Sequence, residues 1–319
     1  MHLVLGPNGA FGGAMVRALV ARGQSVRVLA RDPARVRVPD GVEVIAGDAL
    51  QLTDVVGAAK DCDSIVHGVN LPYAEWDPGM ITLTDRVIEA AGLTGAAIVF
   101  PGNIYGLKPI YEVPLPPNSP TLDTNDRPNR KGALRNLLEE SLALHAEEKN
   151  VRTLVVRAGD FYGPGADNGL VGPMFRNALA GKPIQWFGAL GNGHAFTYVD
   201  DVATVATGIL LQRDRPIHDV VAVAGHHFPN AAAWAAALAK AAGQASLPTQ
   251  LVAGWKVRLL GLVDRQAREF AELLYQWDGA MLLDDARVRR ALPDWTPTPA
   301  EASLEATMAW FRANPATTR

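Results

Sequence analysis

The 319-residue sequence contains a single cysteine, Cys62, so it can form no disulfide within the chain. Neither sign of charge dominates, because 30 Lys and Arg face 33 Asp and Glu, and nothing in this balance favours a nucleic acid as partner. No apolar run is long enough to span a membrane, and no basic stretch followed by an apolar run marks a signal peptide. These absences predict a cytoplasmic protein in which Cys62 is a small buried side chain.

Several catalytic signatures are missing as well. The sequence has no Gly-x-Ser-x-Gly, no His-Glu-x-x-His and no Walker-type Gly-Lys-Thr, which excludes the corresponding classes of hydrolase, zinc protease and nucleoside triphosphatase. The adjacent pair His226-His227 has no third ligand at a useful spacing, and neighbouring side chains on a strand point to opposite faces. We therefore predict no metal site.

Short apolar segments alternate with helical segments through the first half of the chain. Segments that are apolar on both faces and alternate with helices predict a parallel sheet covered on both sides, as in an α/β, doubly wound Rossmann fold. The predicted strands are 2–5, 25–30, 42–48, 64–69, 96–100 and 151–158, and the clearest predicted helices between them are 12–22, 82–91 and 132–149.

The second half is less regular and mainly helical, with one long helix expected at about 256–276. We predict a dinucleotide-binding Rossmann domain over 1–163 with a return segment at 196–225. The segments 164–195 and 226–319 are expected to form a smaller substrate-binding subdomain.

A glycine-rich loop, Gly6-Pro-Asn-Gly9-Ala-Phe-Gly12, separates the first predicted strand from the first helix. The tight turn, the close approach of a pyrophosphate and the packing of helix on strand each need a residue without a Cβ atom. The amides and the positive dipole end of the helix would then meet the anion. At this place in the chain the motif predicts a dinucleotide site, with Asn8 and Phe11 as further contacts.

The end of the second strand discriminates between the two nicotinamide dinucleotides, because an acid there binds the ribose of NAD and an arginine the 2′-phosphate of NADP. Ala30 stands where the acid usually lies and Arg31 follows it, which favours NADP. Asp32 could take the acid's part, so NAD is the alternative. Asp48, followed by Ala49, ends the third strand, where it could meet the adenine or begin the next helix as its N-cap.

Further motifs follow in a fixed order, and together with the glycine loop they resemble the extended short-chain dehydrogenase/reductase superfamily of the NAD-dependent epimerase/dehydratase type. The resemblance implies an oxidoreductase with a Tyr-x-x-x-Lys pair, in which the tyrosine exchanges a proton with the substrate and the lysine holds the nicotinamide ribose. The motifs are Gly47-Asp48, Cys62-Asp-x-Ile-Val-His67, Ile104-Tyr-Gly106, Phe161-Tyr-Gly-Pro164, Tyr198-Val-Asp-Asp-Val202 and Thr296-Pro-Thr-Pro-Ala-Glu-Ala302.

The catalytic part of the pattern departs from the family. Lys131 stands where the lysine belongs, but Arg127 replaces the tyrosine and Pro101-Gly-Asn103 replaces the usual Ser/Thr stretch. An arginine exchanges no proton near neutral pH, although Arg127 could polarise a carbonyl oxygen. We predict that Lys131 contacts the ribose, and that Asn103 either orients a carbonyl or nicotinamide amide or forms an Asx turn.

Four side chains are candidates for the missing proton donor, because they follow strands in the part of such sheets where sites lie. Tyr105 and Tyr162 could donate a proton or simply pack in their loops. Asp160 could bind the substrate or form a turn, and His67 could equally be a buried residue at a strand end.

The leading function is an NADP-dependent oxidoreductase or epimerase that acts on a small carbonyl or hydroxyl compound. The alternative is a non-catalytic regulator that binds NADP(H) and senses its redox state. Trp186 and Trp277 could line an apolar ligand pocket or pack in the core. We expect a small-molecule substrate, no nucleic acid and no membrane. The resemblance implies a homodimer, because members of the family often pair through two helices, one of them equivalent to 132–149, and the sequence leaves the oligomeric state open.

Overall fold

The structure is a computed structural model of the chain, and it describes residues 1–122, 129–167 and 169–315. The strands are β1 (His2–Leu5), β2 (Val26–Ala30), β3 (Glu43–Ala46), β4 (Ser64–His67), β5 (Ala97–Asn103), β6 (Thr153–Ala158), β7 (Asp160–Tyr162), β8 (Ile184–Trp186), β9 (His194–Tyr198), β10 (His218–Ala222), β11 (His226–Phe228) and β12 (Thr249–Leu251). The helices are α1 (Ala10–Ala21), α2 (Leu52–Ala59), α3 (Trp76–Thr94), α4 (Arg130–Glu148), α5 (Gly172–Leu179), α6 (Val199–Leu210), α7 (Ala231–Ala242), α8 (Gly254–Leu260), α9 (Arg265–Ala271), α10 (Ala286–Ala291) and α11 (Ala300–Ala313). Among the described helices, none has both the length and the apolar composition that a bilayer crossing requires.

Seven strands form one sheet in the order β10-β6-β5-β4-β1-β2-β3, and every neighbouring pair runs parallel. The chain starts in the middle of this sheet and reverses its direction of travel between β1 and β4, which is where doubly wound sheets bind their ligands. The predicted α/β Rossmann fold is therefore confirmed.

Helices cover both faces of the sheet because each buries one apolar side against it. On one face α1 and α6 pack together, with Met15 and Val205 in a shared core. On the other face α2, α3 and α4 enclose a second core that includes Val87, Leu138 and the buried Cys62. The carboxyl ends of the strands and the loops that follow them are left free to build a site.

A third core lies among the smaller sheets and the later helices. Strands β11, β9 and β7 form one small sheet and β12 and β8 another, while α5, α7 and α11 pack around them. Trp186, Trp234 and Trp277 are all buried in this core, so core packing accounts for the two tryptophans that could have lined a pocket. The division of the chain into two domains stays a prediction.

The expectation of one continuous helix at 256–276 was wrong. The segment breaks into α8, α9 and a short 3-10 turn. The Asp264 carboxylate caps α9 by accepting a hydrogen bond from the Ala267 amide at 2.8 Å, and this begins a new helix. Gly261 permits the sharp approach, since a Cβ there would lie 2.9 Å from the Arg268 Cα.

Candidate cofactor and active site

The three glycines of the motif lie between the end of β1 and the first turn of α1, and each is required for a different structural reason. Gly6 has φ +69°, and a Cβ there would lie 2.6 Å from the Gly68 oxygen. A Cβ on Gly12 would lie 2.2 Å from the Gly6 oxygen. Gly9 is different, because its φ is −79° and a Cβ would find its nearest neighbour at 3.4 Å. The chain's own packing requires Gly6 and Gly12, whereas the small size of Gly9 leaves space for a ligand.

The start of α1 suits an anion. Gly9 is the N-cap and offers no side chain to the first amides, and the first turn contains no acidic residue. These amides and the positive end of the helix dipole are therefore available to a phosphate. The Phe11 side chain is buried in the core, so that only its main-chain amide can face a ligand.

Asn8 joins the glycine loop to the loop that follows β2. Its amide donates a hydrogen bond to the Arg35 carbonyl at 3.0 Å, and its oxygen accepts one from the Arg37 amide at 3.2 Å. Both arginines and Asn8 line a cleft of about 700 Å³ beside Gly9. Arg35 and Arg37 were missed by the sequence analysis, although the basic spacing of Arg31, Arg35 and Arg37 is visible in the sequence.

Arg31 and Asp32 follow the carboxyl end of β2. Arg31 is exposed, and it forms no ion pair with the residues that the structure describes. The Asp32 carboxylate accepts a hydrogen bond from the Ala34 amide at 3.2 Å and caps a short 3-10 turn. The described contact of Asp32 is therefore local, and its role towards a ribose stays a prediction.

Asp48 lies after β3, where one carboxylate oxygen accepts a hydrogen bond from the Leu50 amide at 3.0 Å. Ala49 is partly buried against the core. The side chain of Asp48 thus stabilises a turn before α2, and its contact with an adenine stays a prediction.

The loop after β5 places Asn103 and Tyr105 at the nicotinamide end of the predicted site. The Asn103 oxygen accepts a hydrogen bond from the Tyr105 amide at 3.0 Å, which is the Asx turn given above as the alternative. The Tyr105 hydroxyl lies 2.9 Å from the hydroxyl of Tyr73, and its ring stacks on Trp76. Each phenol hydroxyl therefore has the other as a partner.

Both phenols are weak acids in this environment. Burial raises the pKa of Tyr73 to about 12 and raises the pKa of Tyr105 well above its ordinary value. The Asp160 carboxylate adds to both increases in pKa, and the Arg135 guanidinium opposes them. Loss of a proton from either hydroxyl is unfavourable.

Lys131 lies in the first turn of α4, whose N-cap is Asn129. Its side chain is only 5% exposed, and its ammonium contacts the Glu269 carboxylate and lies 3.7 Å from that of Glu272. The same ammonium lies 5.5 Å from the centre of the Tyr73 ring. The sequence carried no signal for this ion pair, because α9 is far along the chain and was expected to belong to one long helix.

Two other candidate proton donors have local partners. His67 is fully buried, its Nε2 lies 3.2 Å from the Thr84 hydroxyl, and burial lowers its pKa to about 4. The Tyr162 hydroxyl lies 2.5 Å from that of Ser303 and 2.7 Å from Nδ1 of His226, inside the third core. For Tyr162 this corrects the catalytic assignment, because the phenol is fully enclosed and fully bonded.

Asp160 forms a pair with a histidine that the sequence analysis missed. Asp160 lies two residues after Ala158, the last residue of β6. Ala158 is the register partner of Asn103 at the end of β5. One carboxylate oxygen of Asp160 lies 2.9 Å from Nε2 of His194. The His194 ring stacks on Trp277 with their centres 4.0 Å apart. Only the pairing of β7 with β9 brings the two residues together.

The structure therefore collects Asn103, Tyr105, Lys131 and Asp160 at the carboxyl ends of β5 and β6 and the start of α4. Arg127, which stands in place of the family tyrosine, lies outside the described residues. Within the described ranges no three His, Cys, Asp or Glu side chains are grouped to hold a metal ion. The arrangement can bind and orient a ligand, and its phenols are poor proton donors.

The chain is similar to proteins with known activities. The profile of the NAD dependent epimerase/dehydratase family matches residues 2–224. A 3-diazoavenalumate denitrifying reductase from a Streptomyces species is 28% identical over 310 residues, which are 93% of this chain and 95% of that protein.

Solved structures also superpose on it. An epimerase from Methanothermobacter thermautotrophicus has a TM-score of 0.78 at 16% identity, over 98% of this chain and 92% of that one. The UDP-glucuronic acid 4-epimerase of Bacillus cereus, in complex with NAD, has a TM-score of 0.76 at 15% identity, over 98% of each chain. At these identities the two structures share the fold with this chain.

Proposed function

We propose that this chain, which belongs to the NAD-dependent epimerase/dehydratase family, is an NADP(H)-dependent reductase. Its acceptor receives a hydride from the cofactor and needs no proton from the protein. Membership confirms the resemblance drawn from the sequence motifs. The observation that carries the proposal is that the described phenols and imidazole among the candidate donors are bonded to other side chains. Burial raises the pKa of Tyr105 and Tyr162 and lowers that of His67. Asp160 contacts His194.

The cofactor part of the proposal depends on the loops after β1 and β2. The free amides at the start of α1 and the space beside Gly9 fit a pyrophosphate. Arg31 is exposed and has no ion-pair partner among the described residues, so it could pair with a 2′-phosphate. Arg35 and Arg37 add positive charge to the neighbouring cleft. When bound, the nicotinamide supplies a hydride.

Carbonyl reduction and hydroxyl epimerisation both need a group that exchanges a proton with the substrate oxygen, and the family uses its tyrosine for this. Here Tyr105 is bonded to Tyr73, and burial raises the pKa of both. His67 is bonded to Thr84 and stays neutral at pH 7, because burial lowers its pKa to about 4. These contacts therefore argue against a small carbonyl or hydroxyl compound as the substrate.

An acceptor that is already electron-deficient can take up a hydride without a proton from the protein. The name of the Streptomyces relative describes a reductase that removes nitrogen from a diazo compound. An aryl diazonium ion that receives one hydride gains one C–H bond, and the C–N bonding pair leaves with neutral N₂. The nicotinamide is oxidised, the charges balance, and no proton is required. We propose a diazo-type compound as the acceptor.

The test is acceptor-dependent oxidation of NADPH, followed at its absorbance band with an aryl diazonium salt and with the matching aldehyde, against protein-free blanks. We expect oxidation with the diazonium salt, N₂ release, and deuterium on the product carbon from deuterated NADPH. Lys131→Met should abolish this turnover, and Lys108→Met, which removes the same charge from an exposed position, should not. Absence of oxidation with both acceptors would refute the reductase.

The alternative function is a regulator that binds NADP(H) without turnover. The contact of Lys131 with Glu269 favours it, because α9 occupies the lysine that the family uses for the ribose. Tight NADPH binding by calorimetry, with no oxidation by any acceptor, would support the regulator over the enzyme.

We propose in addition that the chain forms a homodimer through α3 and α4. Leu93, Leu137 and Leu144 leave 67%, 45% and 56% of their surface exposed on these two helices. Glu139 contributes nothing to that face, since it is buried and paired with Arg157. Sedimentation equilibrium tests the assembly, and a monomer at micromolar concentration would refute it.

A further inference from the structure

Asp160 is a largely buried carboxylate whose side-chain partner within the described residues is His194. Its side chain is 15% exposed, and one oxygen lies 2.9 Å from Nε2 of His194. Within the described residues, its other oxygen accepts no hydrogen bond. In the described ranges that oxygen is not among the fully buried polar atoms without a partner, so it is accessible to a ligand or to water.

His194 can hold Asp160 by a hydrogen bond without cancelling its negative charge. Its side chain is 2% exposed, and Nδ1 is buried with no hydrogen-bond partner in the described ranges. A neutral ring that donates Nε2–H to Asp160 leaves Nδ1 as an unused acceptor, whereas a charged ring would bury an unpaired N–H donor. The neutral form therefore orients Asp160 without neutralising it.

The cations of the neighbouring site are bonded to other groups. Lys131 contacts the carboxylates of Glu269 and Glu272. The guanidinium of Arg135 is buried, donates to the Pro101 carbonyl and lies 4.6 Å from the centre of the Phe100 ring. Among these described side chains, the three carboxylates of Asp160, Glu269 and Glu272 outnumber the two cations, Lys131 and Arg135, by one.

Aromatic rings complete this environment. Burial is the main cause of the raised pKa of Tyr73, Tyr105 and Tyr275, and the Asp160 charge raises all three pKa values further. Asp160 is thus close enough to act electrostatically on each phenol. Tyrosine faces attract cations, so the rings and the carboxylate favour the same kind of ligand.

We propose that Asp160, held by His194, binds a positive charge on the hydride acceptor and so selects a cationic substrate. This inference rests on the proposed reductase and narrows its substrate class. An aryl diazonium ion and an iminium ion share the required positive nitrogen. Because hydride transfer removes that charge only as it is completed, Asp160 stabilises the bound acceptor and the transition state more than the product, and its effect falls mainly on KM.

The first measurement is a binding experiment that needs no turnover. Phenyltrimethylammonium, an unreactive aromatic cation, is titrated calorimetrically into the protein with and without NADPH. We expect Asp160→Asn to weaken its binding roughly 10- to 100-fold, because the variant loses the Coulomb attraction between the carboxylate and a quaternary ammonium that has no N–H to donate. Asp294→Asn removes the same charge from an exposed site and should leave the affinity unchanged. Equal affinity for the native and Asp160→Asn proteins overturns the proposal.

The second measurement uses turnover with a diazonium salt, a dihydroisoquinolinium iminium and benzaldehyde. Asp160→Asn should lower kcat/KM for a cationic acceptor at least tenfold relative to the aldehyde, and this loss should appear as a higher KM. Whether the diazonium salt or the iminium shows the loss identifies which class of cation the site accepts. His194→Phe keeps the stacking on Trp277 but loses the donor, so it should reproduce this loss, and His194→Gln should restore part of it. Parallel losses on all acceptors overturn the cation selectivity. If the native protein oxidises NADPH with none of them, the reductase fails while the calorimetry still decides the cation site.

Discussion

Replacing Gly9 and Gly12 separately by alanine should distinguish the residue that is needed for ligand binding from the residue that is needed for folding. The Gly9→Ala methyl meets its nearest protein atom at 3.4 Å, and the backbone there is extended, with φ −79° and ψ 166°. The Gly12→Ala methyl would lie 2.2 Å from the Gly6 oxygen, inside any van der Waals contact. The first substitution should therefore affect the bound pyrophosphate and the second the turn itself.

The expected magnitudes follow from these distances. At a compatible backbone conformation Gly→Ala changes stability by less than about 1 kcal/mol, because loss of unfolded-state entropy offsets the poorer N-cap. Overpacking at Gly12 costs about 1–3 kcal/mol, which for a chain of 319 residues is a fall in Tm of roughly 1.5–4.5 °C. A methyl group in the path of the pyrophosphate should cost a similar 1–3 kcal/mol of binding, so Gly9→Ala should weaken NADPH roughly 5- to 150-fold.

Thermal unfolding without ligand, combined with calorimetric titration of NADPH, measures both effects on the same samples. The expected result is a native-like Tm with weak binding for Gly9→Ala, and a lowered Tm for Gly12→Ala. If Gly9→Ala binds NADPH as tightly as the native protein, the dinucleotide does not lie against this loop and the cofactor assignment is wrong.

Three further outcomes are expected. Arg31→Asp should weaken NADPH roughly 10- to 100-fold and NADH much less, since it removes charge-assisted contacts with the 2′-phosphate, and equal losses would contradict that role. Tyr162→Phe should lower the free energy of unfolding by about 1–3 kcal/mol, because Ser303 and His226 lose their buried partner, with NADPH affinity unaltered; a loss of turnover without a loss of stability would return this tyrosine to catalysis. Burial lowers the pKa of His67 from 6.5 to about 4, so between these pH values the unfolded chain binds more protons than the folded protein. Denaturant titrations should therefore show the free energy of unfolding falling by up to about 3 kcal/mol as the pH drops from 6.5 to about 4. A flat profile, or the same profile in His67→Gln, would count against this assignment.

The parallel sheet and the glycine loop could be predicted from the sequence because their signals are local. Alternating apolar strands and helices fixed the fold class, and the spacing of Gly6, Gly9 and Gly12 located the loop at the start of α1. The Asx turn of Asn103 was also foreseen as an alternative, since it involves only its near neighbours.

The substrate end could not be predicted in the same way, because its contacts join distant parts of the chain. Lys131 meets Glu269 across 138 positions, and Asp160 meets His194 only when β7 pairs with β9. The break between α8 and α9 was hidden by a continuous apolar pattern, and Asp264 overrides that pattern through its cap. Helical periodicity alone carries no information about such tertiary partners.

The ion pair between Lys131 and Glu269 links α9 to the proposed cofactor site. The Lys131 ammonium has three N–H donors, so under the proposed ribose contact it would donate to the ribose and to Glu269 together. Any effect that the position of α9 then has on dinucleotide affinity must be matched by an equal effect of the dinucleotide on α9. In that case binding at one end of the sheet would be felt by a helix whose sequence neighbours, Leu262 and Val263, are exposed to solvent.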